Sequence, residues 1–180
     1  MHLTMRALLM KAGLEGIEVR SAGLQSVEGE APHPQVRAWL ERRSVPFEDF
    51  ASRQLIPEDL AAAELVITAT RRQRDLVVRL APRSSTKVFT LLQLHRLIGD
   101  EPDTAAVFPP EDRSTAHVAR LAELRRGLTG TSGESDDLGD PTGRRNAAFT
   151  SMFNKVLPVL HRLVAHLEAH HRSLTGGDQE

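Results

Sequence analysis

Apolar residues recur along this chain with two periods, and the two periods alternate. Leu3, Ala7, Leu8 and Met10 are spaced for one buried stripe, and Gly13 suits the end of the helix they predict over 3–12. Ile17-Glu18-Val19-Arg20 switches to strict alternation and predicts a short strand, with Ser21-Ala22-Gly23 turning the chain. Pro32-His33-Pro34 closes a loop and opens a helix to about Arg43, with Val36, Trp39 and Leu40 facing inward. Pro57-Glu58-Asp59-Leu60 reads as a first helical turn. Leu65-Val66-Ile67-Thr68 is brief, apolar and partly β-branched, as a buried strand is. Helix follows from Thr70 to Pro82, strand at Lys87–Thr90, and helix from Leu91 to Ile98.

The second half is simpler. Residues 99–115 mix prolines and acids and read as a loop, Ala116–Arg126 as helix, and the Gly-, Ser-, Thr- and Asp-rich stretch 127–145 as another loop. Phe149, Phe153, Val156, Leu157, Leu160, Val164 and Leu167 then recur at helical spacing, which predicts a last helix from Asn146 to His170, with Pro158 positioned to bend it. Strands separated by helices imply βαβ units and a parallel sheet. We expect one domain over 1–172 and a polar, disordered tail over 173–180.

Composition narrows the function. With 23 basic and 24 acidic residues the net charge is -1, so no overall excess of charge points to nucleic acid or a membrane surface. No run approaches the ~20 apolar residues of a membrane span, and the first residues are too polar for a signal peptide; a cytoplasmic location follows by default. There is no cysteine. Disulfides, thiolate metal sites and cysteine nucleophiles are therefore outside the chemistry of these 180 residues.

Several segments, in order, resemble the low-molecular-weight protein tyrosine phosphatases. Val19-Arg20-Ser21-Ala22-Gly23 is similar to that family's second strand and following loop, and Ala31-Pro32-His33-Pro34 to the entry of its second helix. Ala51-Ser52-Arg53-Gln54-Leu55 and Ala63–Arg71 resemble the approach to the third strand and the strand itself, Val88-Phe89-Thr90-Leu91 the fourth strand, and Asp136-Asp137-Leu138-Gly139-Asp140-Pro141-Thr142-Gly143 the Asp-Pro loop before the last helix. The resemblance covers most of residues 5–167. It implies an α/β three-layer sandwich around a small parallel sheet, and hydrolysis of phosphomonoesters in a phosphorylated protein or a small phosphoester, without cofactor or metal.

Family members begin with a strand running into Cys-x5-Arg-Ser/Thr. That loop wraps phosphate with backbone N–H groups at a helix N-terminus, the thiolate attacks phosphorus, and an aspartic acid protonates the leaving group. Here the helix that follows the loop is matched by Thr4–Lys11, whereas the first central strand and the loop have no counterpart. Two readings compete. In one, a start lies roughly 15–25 residues upstream, enough for a strand and a short loop. In the other, the chain is a degenerate, non-catalytic relative that binds a protein or phosphorylated partner. The first is preferred. Arsenate reductase, of the same fold family, needs several cysteines and falls furthest.

Asp140 is the catalytic candidate. From the residues alone Asp-Pro is a turn before a helix; the resemblance makes it the general acid. Asp137 is expected to be solvated. Thr142 stands where many members carry an aromatic residue lining the substrate cleft. Arg71-Arg72-Gln73-Arg74 either meets phosphate or is a solvated first helical turn. Ser21 has the hydroxyl of a nucleophile, but the sequence shows no His–Asp set to go with it. His161, His166, His170 and His171 lie near the chain end, and His166 and His170 have metal-binding i, i+4 spacing; a solvated helix end is the preferred reading.

Overall fold

The computed structural model describes residues 1–14, 16–99, 114–129, 136–139, 141 and 146–175. Their order is α1 (His2–Lys11), α2 (Pro34–Glu41), α3 (Pro57–Ala62), β1 (Val66–Thr68), α4 (Arg71–Leu80), a 3-10 turn (Pro82–Lys87), β2 (Val88–Thr90), α5 (Leu91–Ile98), α6 (Ser114–Thr129) and α7 (Asn146–Thr175). The chain divides into two compact units. One holds Met1–Ile56 with Gly139–Leu160, the other Pro57–Leu138 with His161–Glu180.

In the first unit α1 ends as its sequence dictates. Gly13 adopts φ 70°, which lets its N–H reach the Met10 carbonyl at 3.1 Å and the Leu14 N–H the Leu9 carbonyl at 3.0 Å. Leu9 and Leu14, both buried, close the turn. α2 starts at Pro34, where the absent N–H costs nothing, and the His33 ring accepts from the Gln35 N–H at 3.2 Å. The core of the unit is aromatic. Trp39 stacks on Phe153 with ring centroids 4.2 Å apart, Leu40 and Phe149 complete the cluster, and the Arg43 guanidinium covers the outer face of Trp39 at 4.0 Å.

The strand expected at 17–20 does not form. Its alternation is present, with Ile17 and Val19 half-buried and Glu18 and Arg20 exposed and paired at 2.6 Å. No ladder partner accompanies it among the described residues, and alternation without a partner makes no sheet. Pairing begins only at Gly23, a parallel bridge to Gln54: the Gly23 N–H donates to the Arg53 carbonyl at 2.9 Å and the Leu55 N–H to that of Gly23 at 2.8 Å.

The second unit carries a βαβ motif. β1 and β2 pair in parallel, Val66 opposite Val88, Ile67 opposite Phe89 and Thr68 opposite Thr90. Among the described residues the sheet has these two strands, and α4 and α5 pack on both. α4 and α5 each begin with a capping box. Thr70 and Thr90 accept from the N–H of Gln73 and Gln93, whose side chains return to the cap backbone. The end of α5 is closed by Gly99 at φ 75°, and by Arg125, which donates to the Leu97 and Ile98 carbonyls at 2.9 and 2.7 Å. Phe89, Leu91, Leu94, Ile98, Val118 and Leu163 are among the residues fully removed from solvent here.

Thr90 is fully buried and its hydroxyl is the cap of α5. Thr90→Ala leaves the Gln93 N–H without its acceptor and is expected to cost about 1–2 kcal/mol, read as a lower urea midpoint at unchanged m-value. Thr90→Ser, which keeps the oxygen, should recover most of the loss.

Two helices outrun expectation. α6 continues to Thr129, into the stretch read as loop, and α7 runs through Pro158 to Thr175, three residues into the expected tail. Residues 100–113 and 176–180 lie outside the described set.

Candidate functional site

The turn after β1 delivers the chain into α4, whose first N–H groups have no partner within the helix. The loop at 136–139 docks there, held at three successive residues. Asp136 is buried and accepts from Arg96 Nη2 at 3.2 Å. Asp137 accepts the Arg71 N–H on Oδ1 at 2.6 Å, while Arg71 Nε and Nη2 donate to Oδ2 at 3.2 and 3.1 Å. The Leu138 N–H donates to the Ala69 carbonyl at 2.9 Å, and its side chain is buried. Asp137 thus satisfies one of the orphan donors of α4 and forks onto the guanidinium of the same residue, a strong pairing for a carboxylate.

The N–H of Arg71, and then its guanidinium, hold the Asp137 carboxyl below the ordinary aspartate range, with smaller help from the charges of Arg71 and Arg74. The expectation of a solvated Asp137 is therefore corrected. A carboxylate bound by a helix end and an arginine is an anchor, although its outer edge still meets water.

Beside this anchor lies an open polar cleft of about 480 Å3 lined by Arg71, Arg72, Arg74, Asp75, Arg79 and Asp137. Four guanidiniums face two carboxylates there, so the cleft favours anions. Arg71 is committed to Asp137; Arg74 binds Asp75 through Nε and Nη2 at 3.0 and 2.9 Å and reaches Gln93 Oε1 at 3.4 Å. Arg72 and Arg79 are the exposed members. Of the arginine run, Arg72 is solvated, while Arg71 and Arg74 are taken up by the carboxylates of Asp137 and Asp75.

Asp140, the expected general acid, and Thr142 lie outside the described residues. The structure describes the anchored loop that leads into Asp140.

The histidines separate by depth. His161 and His171 are exposed, but His166 is buried, and the His170 ring stacks on that of His117 at 3.9 Å. A solvated helix end is wrong for His166. It follows Val159 and Leu163 at helical spacing and so lies on the buried face. Among the described residues no group of three or more His, Cys, Asp or Glu side chains is arranged to hold a metal ion. Ser21 does have a partner: its Oγ lies 3.0 Å from Nδ1 of His2, nineteen positions earlier.

The anchor is testable. Asp137→Ala and Asp137→Asn are expected to speed hydrogen exchange at the Arg71 and Leu138 amides and to cost about 1 kcal/mol, a modest figure because the pair is partly solvated. The folded pKa is depressed, so this stabilisation is fully present above the ordinary aspartate value of about 4. It is lost as pH falls through the lower folded value. Measured as protection factors, so that the intrinsic pH dependence of exchange cancels, protection of the Arg71 and Leu138 amides should fall in that acid window in the wild type and stay flat there in Asp137→Asn.

Comparison with known proteins bears on what this arrangement serves. Residues 3–104 match the family model described as low molecular weight phosphotyrosine protein phosphatase. A protein-arginine-phosphatase of Geobacillus stearothermophilus is 31% identical over 102 residues, which make up 57% of this chain and 67% of that relative. Among solved structures, the YwlE arginine phosphatase from G. stearothermophilus superposes with a TM-score of 0.59 at 21% identity, over 99% of this chain and 90% of that one. The Erwinia amylovora tyrosine phosphatase amsI gives 0.57 at 18% identity, over 92% and 81%. These structural likenesses show a shared α/β fold. Among the described residues β1 and β2 are the strands of it that form.

Proposed function

The chain belongs to the low molecular weight phosphotyrosine protein phosphatase family, and we propose that its fold serves phosphomonoester hydrolysis with Asp140 as the general acid. The observation that carries this is the three-point docking of residues 136–138. A proton donor works only when held within hydrogen-bond reach of the leaving oxygen. A loop fixed by an ion pair, a helix N-terminus and a backbone bond is a fitting support for one. The neighbouring arginine-lined cleft suits an anionic substrate, with Arg72 and Arg79 exposed toward a phosphorylated protein or a small phosphoester. The arginine phosphatase among the relatives adds phosphoarginine to phosphotyrosine as a substrate class.

The 180 residues contain no cysteine, so this chain carries the acid half of the mechanism without the thiolate half. It is expected to leave an aryl phosphate intact, and turnover that survives purification and vanishes in Asp140→Ala would overturn that. A second reading, a non-catalytic relative that binds phosphorylated partners, accommodates the same lack of a thiol. Calorimetric titration with a phosphotyrosine peptide, and with an Arg72→Ala/Arg79→Ala double variant, separates the two: the binding reading requires affinity that the double variant loses.

The remaining features of the proposal are bland. Residues 1–172 act as one phosphatase-like domain, in the cytoplasm, with neither nucleic acid nor membrane as partner. The near-neutral net charge supports this, and no described helix is long and apolar enough to cross a membrane.

A further inference from the structure

The first unit also holds a serine–histidine pairing. Ser21 Oγ and His2 Nδ1 stand 3.0 Å apart, with the serine exposed and the imidazole half-buried. The ring also hydrogen-bonds the backbone at Val19, a contact that favours the protonated ring, as a carbonyl acceptor does. In the tautomer that carries its proton on Nε2, Nδ1 is the acceptor for the Ser21 hydroxyl. A serine hydroxyl within hydrogen-bond reach of an imidazole is the core of an activated nucleophile.

Three elements build the group. His2 opens α1, Ser21 leads into the Gly23 bridge, and Arg53 sits on the strand-like segment that the same bridge fixes. We propose that Ser21 and His2 form a nucleophile–base pair that takes an activated carboxylic ester carrying an anionic group. Arg6, one turn beyond His2 on α1, and Arg53 supply the cationic surroundings that select the anion.

The step balances without a co-reactant. Ser21 Oγ bonds to the acyl carbon while the bond from that carbon to the leaving oxygen breaks. The Ser21 proton passes to His2 Nδ1 and from there to the departing phenolate. His2 is suited to receive it. Burial, then the positive charge of Arg6 and, more weakly, that of Arg53, lower its pKa, so the neutral ring, which can accept a proton, is favoured at pH 7. The acylation rate is therefore expected to rise with pH through a value below the ordinary ~6.5 of histidine.

The probes are p-nitrophenyl monosuccinate and neutral p-nitrophenyl acetate. Expected is one acyl group per chain, mapped by peptide mass to Ser21, with the anionic ester faster by about 10-fold at low salt and that preference shrinking as salt rises. His2→Gln should slow labelling by about 100-fold, and Ser21→Ala should abolish it. Label on another residue, or an undiminished rate in His2→Gln, overturns the proposal. Ser21→Cys provides a check independent of acylation. The chain has no other thiol, so iodoacetamide reports on this position alone, and alkylation at pH 7 should be about 10-fold faster than in Ser21→Cys/His2→Gln. Equal rates in those two variants would show that the imidazole does not activate the group at position 21.

Discussion

A chimera in which an apolar strand and a Cys-x5-Arg-Ser loop precede Thr4 is expected to hydrolyse p-nitrophenyl phosphate, where the 180-residue chain leaves it intact. The argument starts at α1. Its N-terminus has no side-chain cap and no acid in its first turn, so neither competes with an oxyanion for the positive end of the helix. The same field lowers the pKa of a cysteine placed there and supplies the thiolate. Attack on phosphorus then needs a proton for the leaving phenolate, and Asp140 is the proposed donor. Asp140→Asn in the chimera should reduce kcat by about 10^2 to 10^4-fold, and Cys→Ser in the new loop should remove turnover altogether. The two losses should be far from additive, since acid and nucleophile serve one transition state. A chimera that folds, as judged by its circular dichroism and cooperative unfolding, yet shows no turnover would sink the functional proposal. Turnover indifferent to Asp140→Asn would sink the assignment of the acid. The chimera replaces Met1–Leu3, and His2 with them, so the Ser21–His2 pair is read separately, in the 180-residue chain with carboxylic esters.

Local chemistry made the second unit legible. Val66–Thr68 and Val88–Thr90 are short, apolar and β-branched or aromatic, and the helix after each opens with a Thr-x-x-Gln box. Leu91–Ile98 is bounded by a capping threonine and a glycine, and both its limits are as the sequence sets them. Ile17–Arg20 failed for the complementary reason. Alternation tells which face is wet, and burial follows it, but a strand is a property of two segments, and among the described residues none pairs with 17–20. The site was harder still. Asp137 sits in a Gly-, Ser- and Asp-rich stretch with nothing to mark it as an anchor, and its partner is 66 positions away. His2 and Ser21 are likewise joined only by the fold. His166 is different. Counting by helical turns from Val159 and Leu163 lands on it, so its burial was readable from the sequence, and the run of histidines around it drew attention to the metal spacing instead.

Replacing Phe89 by alanine should be among the most damaging single changes in the second unit, costing about 3–5 kcal/mol. Phe89 is the middle residue of β2, opposite Ile67, and has no exposed surface. The Arg126 guanidinium covers its ring at 4.7 Å while Nη2 donates to the Ser85 carbonyl at 2.9 Å and Nη1 to that of Val88 at 3.3 Å. The ring therefore supports a cation whose hydrogen bonds close the 3-10 turn and the start of β2. Truncation opens a cavity between β2 and the helices packed on it, at a cost that grows with the volume the neighbours fail to fill. It also leaves the Arg126 charge over a void rather than an aromatic face. A domain of this kind has about 5–15 kcal/mol of stability in total, so Phe89→Ala should be partly unfolded at 37 °C and its urea midpoint should fall sharply. Phe89→Leu keeps most of the volume and should lose about half as much. Arg126→Met removes the charge but not the bulk; a double-mutant cycle with Phe89→Leu should show coupling of about 0.5–1 kcal/mol. If Phe89→Ala unfolds at the wild-type urea concentration, β2 is not the centre of this core and the packing described for the second unit is wrong.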